Sequence, residues 1–391
     1  MINRWHFFVL FLLTSFAAFN AVLFTPSMPK MIGYFAVSGN KVQTVILFYL
    51  LGYSFGQLFY GPIANRCGRK PTLYGGILLE IFSSILCIYA VHFHLFNLLV
   101  IGRFFLAVGA GVGLVVAYAI VNESYSRKEA SKKISYLTLS FAVSPGVSIF
   151  IGSLLLAHAG ILGCFYASFV YGVILIFFCM TLPETLIEKH FHALKPKQLI
   201  KGYKVQICNI KVMLAGVVMG ANASYIYIFA AMAPFIAMLK FKVNAIDYGT
   251  YNILPPIGLV LGSILSAKLS GKYSIKQLIL SGLIILSLGI CCMVILNNVN
   301  INNVFINLFL PIIIVYVGSS LVHPSAIMFG MSSSDNKANA SAMLNFLNLG
   351  IVSIADVFLM YCKINLGTMI LSFAMLCLIE IIIYILVINR S

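Results

Sequence analysis

The sequence predicts an all-α membrane protein whose twelve transmembrane helices form two pseudo-symmetric six-helix bundles. Three observations carry that expectation. Of 391 residues, 61% are hydrophobic and 9% are charged, where an ordinary soluble chain is about 25% charged. Apolar runs near the roughly 20 residues that a spanning helix needs recur from one end of the chain to the other. A pair of glycines four apart, Gly52 and Gly56, returns as Gly258 and Gly262 at an offset of 206 residues. The same composition excludes a disordered chain, which is poor in apolar residues. The 25 Lys and Arg against nine Asp and Glu give a net charge of +16. No basic run stands apart from the apolar segments, so this charge reads as membrane topology and not as a nucleic-acid partner.

The first span, near 5–24, follows Arg4 and stops at Pro26 and Pro29. Its apolar stretch exceeds the roughly 7–15 residues of a signal peptide. Cleaving it would also invert every later loop, so it is expected to remain. Spans two to four lie near 43–61, 72–91 and 97–121, and spans five and six near 134–157 and 160–182. Pro183-Glu184-Thr185-Leu186 closes this first half, and the basic segment 187–209 reads as a cytoplasmic linker. Spans seven to twelve follow near 210–238, 248–267, 276–296, 303–329, 338–361 and 366–388. The expected organisation is an N-terminal bundle over 1–186, the linker, and a C-terminal bundle over 210–391. The repeated glycine pair supports a duplication, with Gly68-Arg69-Lys70 echoed weakly in Gly271-Lys272. Small residues four apart let helices approach closely.

Lys and Arg concentrate on the cytoplasmic side of short loops. With a cytoplasmic N-terminus, nineteen basic residues fall on that side, and only Lys30, Lys41, Lys240, Lys242 and Lys363 fall opposite. Both termini are therefore expected in the cytoplasm. The nine cysteines mostly lie in apolar stretches without a Cys-x-x-Cys pair, and read as small apolar packing residues.

The segment between spans two and three reads Gly61-Pro62-Ile63-Ala64-Asn65-Arg66-Cys67-Gly68-Arg69-Lys70. It resembles the signature loop of the major facilitator superfamily, Gly-x-x-x-Asp-Arg-x-Gly-Arg-Arg/Lys. Glycines permit a tight turn, and the cations can bridge carboxylates and helix ends to latch one conformation. Asn65 stands where that family has Asp. Span four opens on Arg103, continues through Gly109 and Gly111, and ends at Asn122-Glu123, which resembles the antiporter pattern of that family. Span five carries Ser144-Pro145 and Gly152, with Ile149 and Ser153 where the antiporter motif has a second Pro and a second Gly. With Pro183-Glu184-Thr185-Leu186, Tyr225 to Pro234, Tyr248-Gly249 and Ala340-Ser341-Ala342, the chain resembles the bicyclomycin-resistance (Bcr/CflA-type) branch of twelve-span drug:proton antiporters. The first span of that branch ends in Asp-x-Tyr-x-Pro-x-x-Pro; here both prolines remain and Val22 stands in the place of the acid.

Each charge inside a bilayer costs about 2.5–3.5 kcal/mol on insertion scales, so each demands a reason. Arg103 reads either as snorkelling to the interface or as a cavity charge, and the Gly-rich stretch behind it favours the cavity. Glu80, Asp356 and Glu380 are the acids that fall inside spans three, eleven and twelve. Glu80 and Asp356 are candidates for the cavity or for proton coupling; Glu80 and Glu380, on spans that are peripheral in the family fold, also read as interhelical hydrogen-bonding partners. Glu123 falls at the cytoplasmic end of span four, and the resemblance assigns it to a gate with Gly61, Asn65, Arg66, Gly68, Arg69 and Lys70. Asn20, Asn222, Tyr225, Tyr227, Asn345 and Asn348, with Phe229 and Met232, lie on spans one, seven and eleven, which line the cavity in the family. Pro145 and Gly152 form a helix-packing motif. His92, His94 and His158 sit near the outer face without the ligand set of a metal site, and His323-Pro324 reads as a kink with a satisfied imidazole.

The resemblance implies a secondary active transporter of the bacterial inner membrane, exporting drugs or other small amphipathic molecules by alternating access. Its partners would be that substrate, protons as coupling ion and membrane lipid, with a monomeric chain. Two alternatives stay open. Val22 removes the acid near Arg103, so an anionic or zwitterionic metabolite could be exported with altered or absent proton coupling. Alternatively, the transporter fold could serve as a transport-inactive receptor or scaffold. No catalytic constellation, phosphate loop, cofactor motif or metal set is legible, so neither an enzyme nor ATP-driven transport is expected.

Overall fold

The computed structural model describes residues 2–186, 204–270, 272–299, 303–334 and 337–388. The regular elements among them are helical: α1 (Arg4–Val22), α2 (Met28–Phe35), α3 (Gly39–Cys67), α4 (Arg69–His92), α5 (Phe96–Ala110), α6 (Val112–Ser124), α7 (Arg127–Met180), α8 (Ile210–Phe235), α9 (Ala245–Tyr251), α10 (Pro255–Leu269), α11 (Ile275–Val299), α12 (Leu310–Ser332), α13 (Lys337–Leu359) and α14 (Leu366–Ile383). Asparagine side chains cap four of their N-termini, at Asn3, Asn209, Asn244 and Asn365, satisfying main-chain donors that a first turn leaves without partners. Most of the expected linker, residues 187–203, lies outside the described residues, as do Gly271 and Arg390.

Eleven described helical segments are long and apolar enough to cross a membrane, and the longest accounts for two of the twelve expected spans. A straight helix of the 54 residues of α7 would run about 80 Å at 1.5 Å per residue, far beyond a bilayer core of about 30 Å. The backbone leaves helical geometry at Gly160, with φ 66° and ψ −160°. Both limbs return to the same residue of α1: Ser144 Oγ donates to the Ser15 carbonyl at 3.3 Å, and Ser15 Oγ lies 2.9 Å from the Tyr171 hydroxyl. The chain therefore doubles back at Gly160, and the two limbs are spans five and six.

Two expected boundaries are corrected. The segment from Gly61 is not a loop: α3 continues through Pro62 to Cys67, and the turn is Gly68 alone, at φ +109°. Pro26 and Pro29 do not stop the first span. They break it into α1, a single 3-10 turn at Thr25–Ser27, and α2. Pro26 brings no N–H to the ladder, and the Thr25 hydroxyl instead donates to the Val22 carbonyl at 2.8 Å.

The described chain forms two compact units, Met1–Ala36 with Thr44–Lys201, and Val37–Gln43 with Gly202–Ser391. The same close packing recurs in both. In the first, Gly52 and Gly56 of α3 lie against the carbonyls of Phe104 and Val108 on α5, and Gly76 of α4 faces Gly109. In the second, Gly258 and Gly262 of α10 lie against the carbonyls of Ile313 and Val317 on α12, and Gly282 of α11 faces Gly318. A Cβ at any of these glycines would collide with the facing helix. Offsets of 206 residues on one side and 209 on the other carry every pair onto its counterpart, so the repeat legible in one glycine pair extends through three helices of each unit.

Candidate functional site

Around the turn at Gly68, Arg69 is buried at the start of α4, where the one-residue connection fixes it against the end of α6. Its guanidinium pairs with the Glu123 carboxylate through Nε and Nη2, while Nη1 donates to Asn65 Oδ1 at 2.9 Å. Glu123 thus pairs with Arg69, and the amide of Asn65 accepts from the same guanidinium without carrying a charge. The Thr185 hydroxyl donates to Glu123 Oε2 at 2.6 Å. Glu184 caps α4: Oε1 accepts from the Arg69 N–H at 2.9 Å and Oε2 from the Lys70 N–H at 3.0 Å. Burial acts to raise the Glu184 carboxyl, but main-chain donors at Arg69, Leu186, Lys70 and Thr185 outweigh it and hold the group below the usual carboxylate range. Lys70 Nζ donates to the Met180 carbonyl at 3.0 Å. Arg66 is exposed, and Gly61 lies inside α3 with open space around it.

A polar network in the first unit surrounds the break of the first span. Arg103, 2% exposed, donates from Nη1 to the Asn20 carbonyl at 2.9 Å and from Nη2 to the Ala21 carbonyl at 3.1 Å. These are orphan acceptors at the C-terminal end of α1, where a cation is also favoured by the helix dipole. Phe24 and Tyr49 sandwich the guanidinium, each ring centroid 4.2 Å from Cζ. Arg103 therefore neither snorkels nor meets a carboxylate within ion-pair distance among the described residues; main-chain oxygens and ring faces occupy the place of the missing acid. Below it, Ser168 Oγ lies 2.6 Å from Asn20 Oδ1 and 3.0 Å from Glu80 Oε1, and Ser84 Oγ donates to the same Glu80 oxygen at 3.0 Å. Gly172 leaves room for Glu80 Oε2, which has no hydrogen-bond partner.

The second unit carries a different network. Asn222 Nδ2 donates to Glu380 Oε1 at 2.8 Å, and the Tyr225 hydroxyl donates to Oε2 at 3.2 Å. Ser319 Oγ donates to Asn222 Oδ1 at 2.5 Å, so the amide is pinned at both ends. Asp356 and Tyr227 are both buried, whereas Asn345 is half-buried on α13. His94 stacks on Tyr34, and His158 bonds the Leu154 carbonyl. Among the described residues, no group of three or more His, Cys, Asp or Glu could hold a metal.

Sequence reasoning gave no structural role to two features. One is Glu184 as the cap of α4, from 115 residues away in the chain. The other is a ladder of span five on span one. Ser140, Ser144 and Ser148 donate to the carbonyls of Phe11, Ser15 and Phe19, and Gly152 closes against the carbonyl of Leu23. The signal was present as small residues at strict four-residue spacing; Ser144, Pro145 and Gly152 are singled out by the motif, and Ser140 and Ser148 are not.

A twelve-span helical protein built of two six-helix repeats, with buried charge networks, is the architecture of secondary transporters. The sequence profile of the Major Facilitator Superfamily matches residues 10–355, and the chain belongs to that superfamily: it is a multi-pass membrane transporter. An uncharacterized transporter of Rickettsia felis is 27% identical over 385 residues, covering 96% of this chain and 93% of that one. A multidrug transporter named MdfA, from Yersinia pestis (strain Angola), is 26% identical over 273 residues, covering 69% and 66%. Among solved structures, that of a D-xylose-proton symporter superposes with a TM-score of 0.78 at 14% identity, over 98% of this chain and 97% of that one. At that identity the likeness concerns the fold alone.

Proposed function

We propose that the protein is a proton-coupled exporter of drugs or other small amphipathic molecules, working by alternating access in the bacterial inner membrane with both termini cytoplasmic. The resemblance to the Bcr/CflA-type branch and the likeness to a protein named as a multidrug transporter support the export half. The observation that carries the coupling half is Glu80. Its carboxyl is fully buried, its partners among the described residues are hydroxyls, and those hydroxyls lead through Ser168 to Asn20 beside the break of the first span. A hydroxyl can turn from donor to acceptor, so Ser84 and Ser168 accommodate either a carboxylate or a protonated carboxyl without moving any helix. In this reading Glu80 takes over the duty of the acid that Val22 replaces. Arg69 and Glu123 form the latch at the turn of α3 and α4 that opens and closes during the cycle, and its retention favours a working transporter over a scaffold. The export of anions at Arg103 finds no support, because its charge is enclosed by Asn20, Ala21, Phe24 and Tyr49.

The test is flux in vesicles reconstituted with the full chain, comparing wild type and Glu80→Gln. The reading expects Glu80→Gln to lose pH-gradient-driven uptake of ethidium by about tenfold or more while exchange down a dye gradient persists. Gradient-driven uptake unchanged in the variant would remove Glu80 from the coupling path.

A further inference from the structure

The end of the first unit opposite the turn at Gly68 holds a cation outside both the latch and the Arg103 network. Lys30 stands in α2, one turn before Tyr34 and so about 6 Å short of it along the helix. α2 completes a segment of 32 residues that is long and apolar enough to cross a membrane. The charge therefore sits inside the end of a span and not in a loop, where it asks for a reason. Three parts of the chain meet beside it: α2 with Lys30 and Tyr34, the end of α4 with Val91, and the reversal at 159–162. They line a cavity of about 500 Å³, within the roughly 300–1,000 Å³ typical of ligand sites. Gly160 has nothing within 4 Å of the place a Cβ would take, so the reversal leaves this space unfilled.

The walls specify the occupant. The Tyr34 hydroxyl donates to the Val91 carbonyl at 3.1 Å, and His94 stacks on the Tyr34 ring with centroids 4.3 Å apart, so the side joining α2 to α4 is fixed. Val91 and Ile161 are buried and apolar. Tyr34, Tyr89 and Phe93 are exposed around this end, an aromatic collar of the kind that marks headgroup depth in a bilayer. No acid shares the end: the described acids of the unit are Glu80, within α4, and Glu123, Glu129 and Glu184, at the end that carries the Gly68 turn. The field at Lys30 is therefore positive, without a competing carboxylate. A phosphodiester that carries acyl chains meets every requirement, with negative charge for Lys30 and apolar surface for the wall. A soluble anion leaves the apolar wall unused, and a zwitterionic headgroup brings a second cation of its own.

We propose that this cavity is a binding site for an anionic phospholipid, with its phosphodiester on Lys30 Nζ and one acyl chain along Val91 and residues 159–162. The lipid ties the end of the first span to the reversal of spans five and six. The site stands independently of the export reading and of any role of Glu80 in coupling.

The experiment is titration of the purified full chain, in a neutral detergent, with dioleoylphosphatidylglycerol, the tightest-bound lipid being followed by mass spectrometry of the intact complex. Losing one lysine contact to an anionic lipid weakens binding by about fivefold, and that is the loss expected for Lys30→Gln. Lys363→Gln, which removes the same charge from an exposed position of the second unit, is expected to bind as wild type. Ala159→Trp keeps the charge and fills the cavity, and is expected to weaken binding by about fivefold or more. Lys30 and Ala159 are both exposed, so without lipid these variants are expected to melt with wild type, and lost binding is then not misfolding. Dioleoylphosphatidylcholine is expected to bind wild type about fivefold more weakly than the glycerol lipid. Unchanged affinity in Lys30→Gln or in Ala159→Trp overturns the proposal, as does an equal loss in Lys363→Gln, which would mark a diffuse effect of net charge. Equal binding of the choline lipid overturns it too. Displacement of the lipid by glycerol phosphate at matching concentration would assign the site to a free anion, and likewise overturns it.

Discussion

Arg69 holds three elements at once. Its side chain joins Glu123 on α6 and Asn65 on α3, while its main-chain N–H is capped by Glu184. A lysine cannot fork to both acceptors, so Arg69→Lys is expected to lose the Asn65 contact and impair transport while preserving the net charge. Asn65→Asp converts a neutral acceptor into a charged one, and charge-assisted hydrogen bonds are about twice as strong as neutral ones. That variant is expected to raise the thermal stability of the purified protein and to slow turnover by holding the latch closed; lower stability with faster turnover would contradict the assignment. For Glu184, Glu184→Ala removes a helix cap, and the loss falls toward the lower end of the ~0.5–2 kcal/mol typical of caps because the group is exposed. The carboxyl is held low in the folded protein, so its contribution is complete above the unfolded value near pH 4.5 and is lost as pH falls through the lower folded value. Melting curves of wild type and Glu184→Ala are accordingly expected to differ at neutral pH and to converge in strong acid.

At the scale of elements, the first span is the part built most unusually. It is broken at Pro26, bound through its last carbonyls by Arg103, and braced along its length by the ladder from Ser140 to Gly152. Gly152→Val drives a side chain into the Leu23 carbonyl at the break, and overpacking of this kind costs about 1–3 kcal/mol. It is expected to lower the melting temperature and to abolish transport even where folded protein is recovered; normal flux would show that the α1–α7 contact is incidental. The element pattern was legible because apolar length and Lys/Arg asymmetry are written residue by residue. The resumption of helix at Met28, with Pro29 in its first turn, was not, because proline marks where a ladder is interrupted and says nothing of whether it restarts. Arg103 was visible as a charge, but its partners were invisible, since the carbonyls of Asn20 and Ala21 belong to every residue type. The glycines at 52, 56, 258 and 262 were readable as close contacts, whereas Gly160 as the reversal of span five into span six depends on a backbone angle that the sequence does not state.

Over the whole molecule, the two units repeat a backbone and diverge in chemistry. The offsets that superpose the glycine pairs carry Glu80 onto Leu286 and Arg103 onto Ile312. The charged network of the first unit therefore has no counterpart at the equivalent positions of the second, whose buried acids among the described residues lie on α13 and α14 instead. That asymmetry accords with the proposed coupling role of Glu80 in the first unit. The most direct measurement is uptake of tetraphenylphosphonium into everted vesicles containing the full chain, with the pH gradient intact and with it dissipated by nigericin. The account predicts concentrative uptake that collapses with the gradient. Uptake of the same extent in both conditions, or none in either, would contradict it.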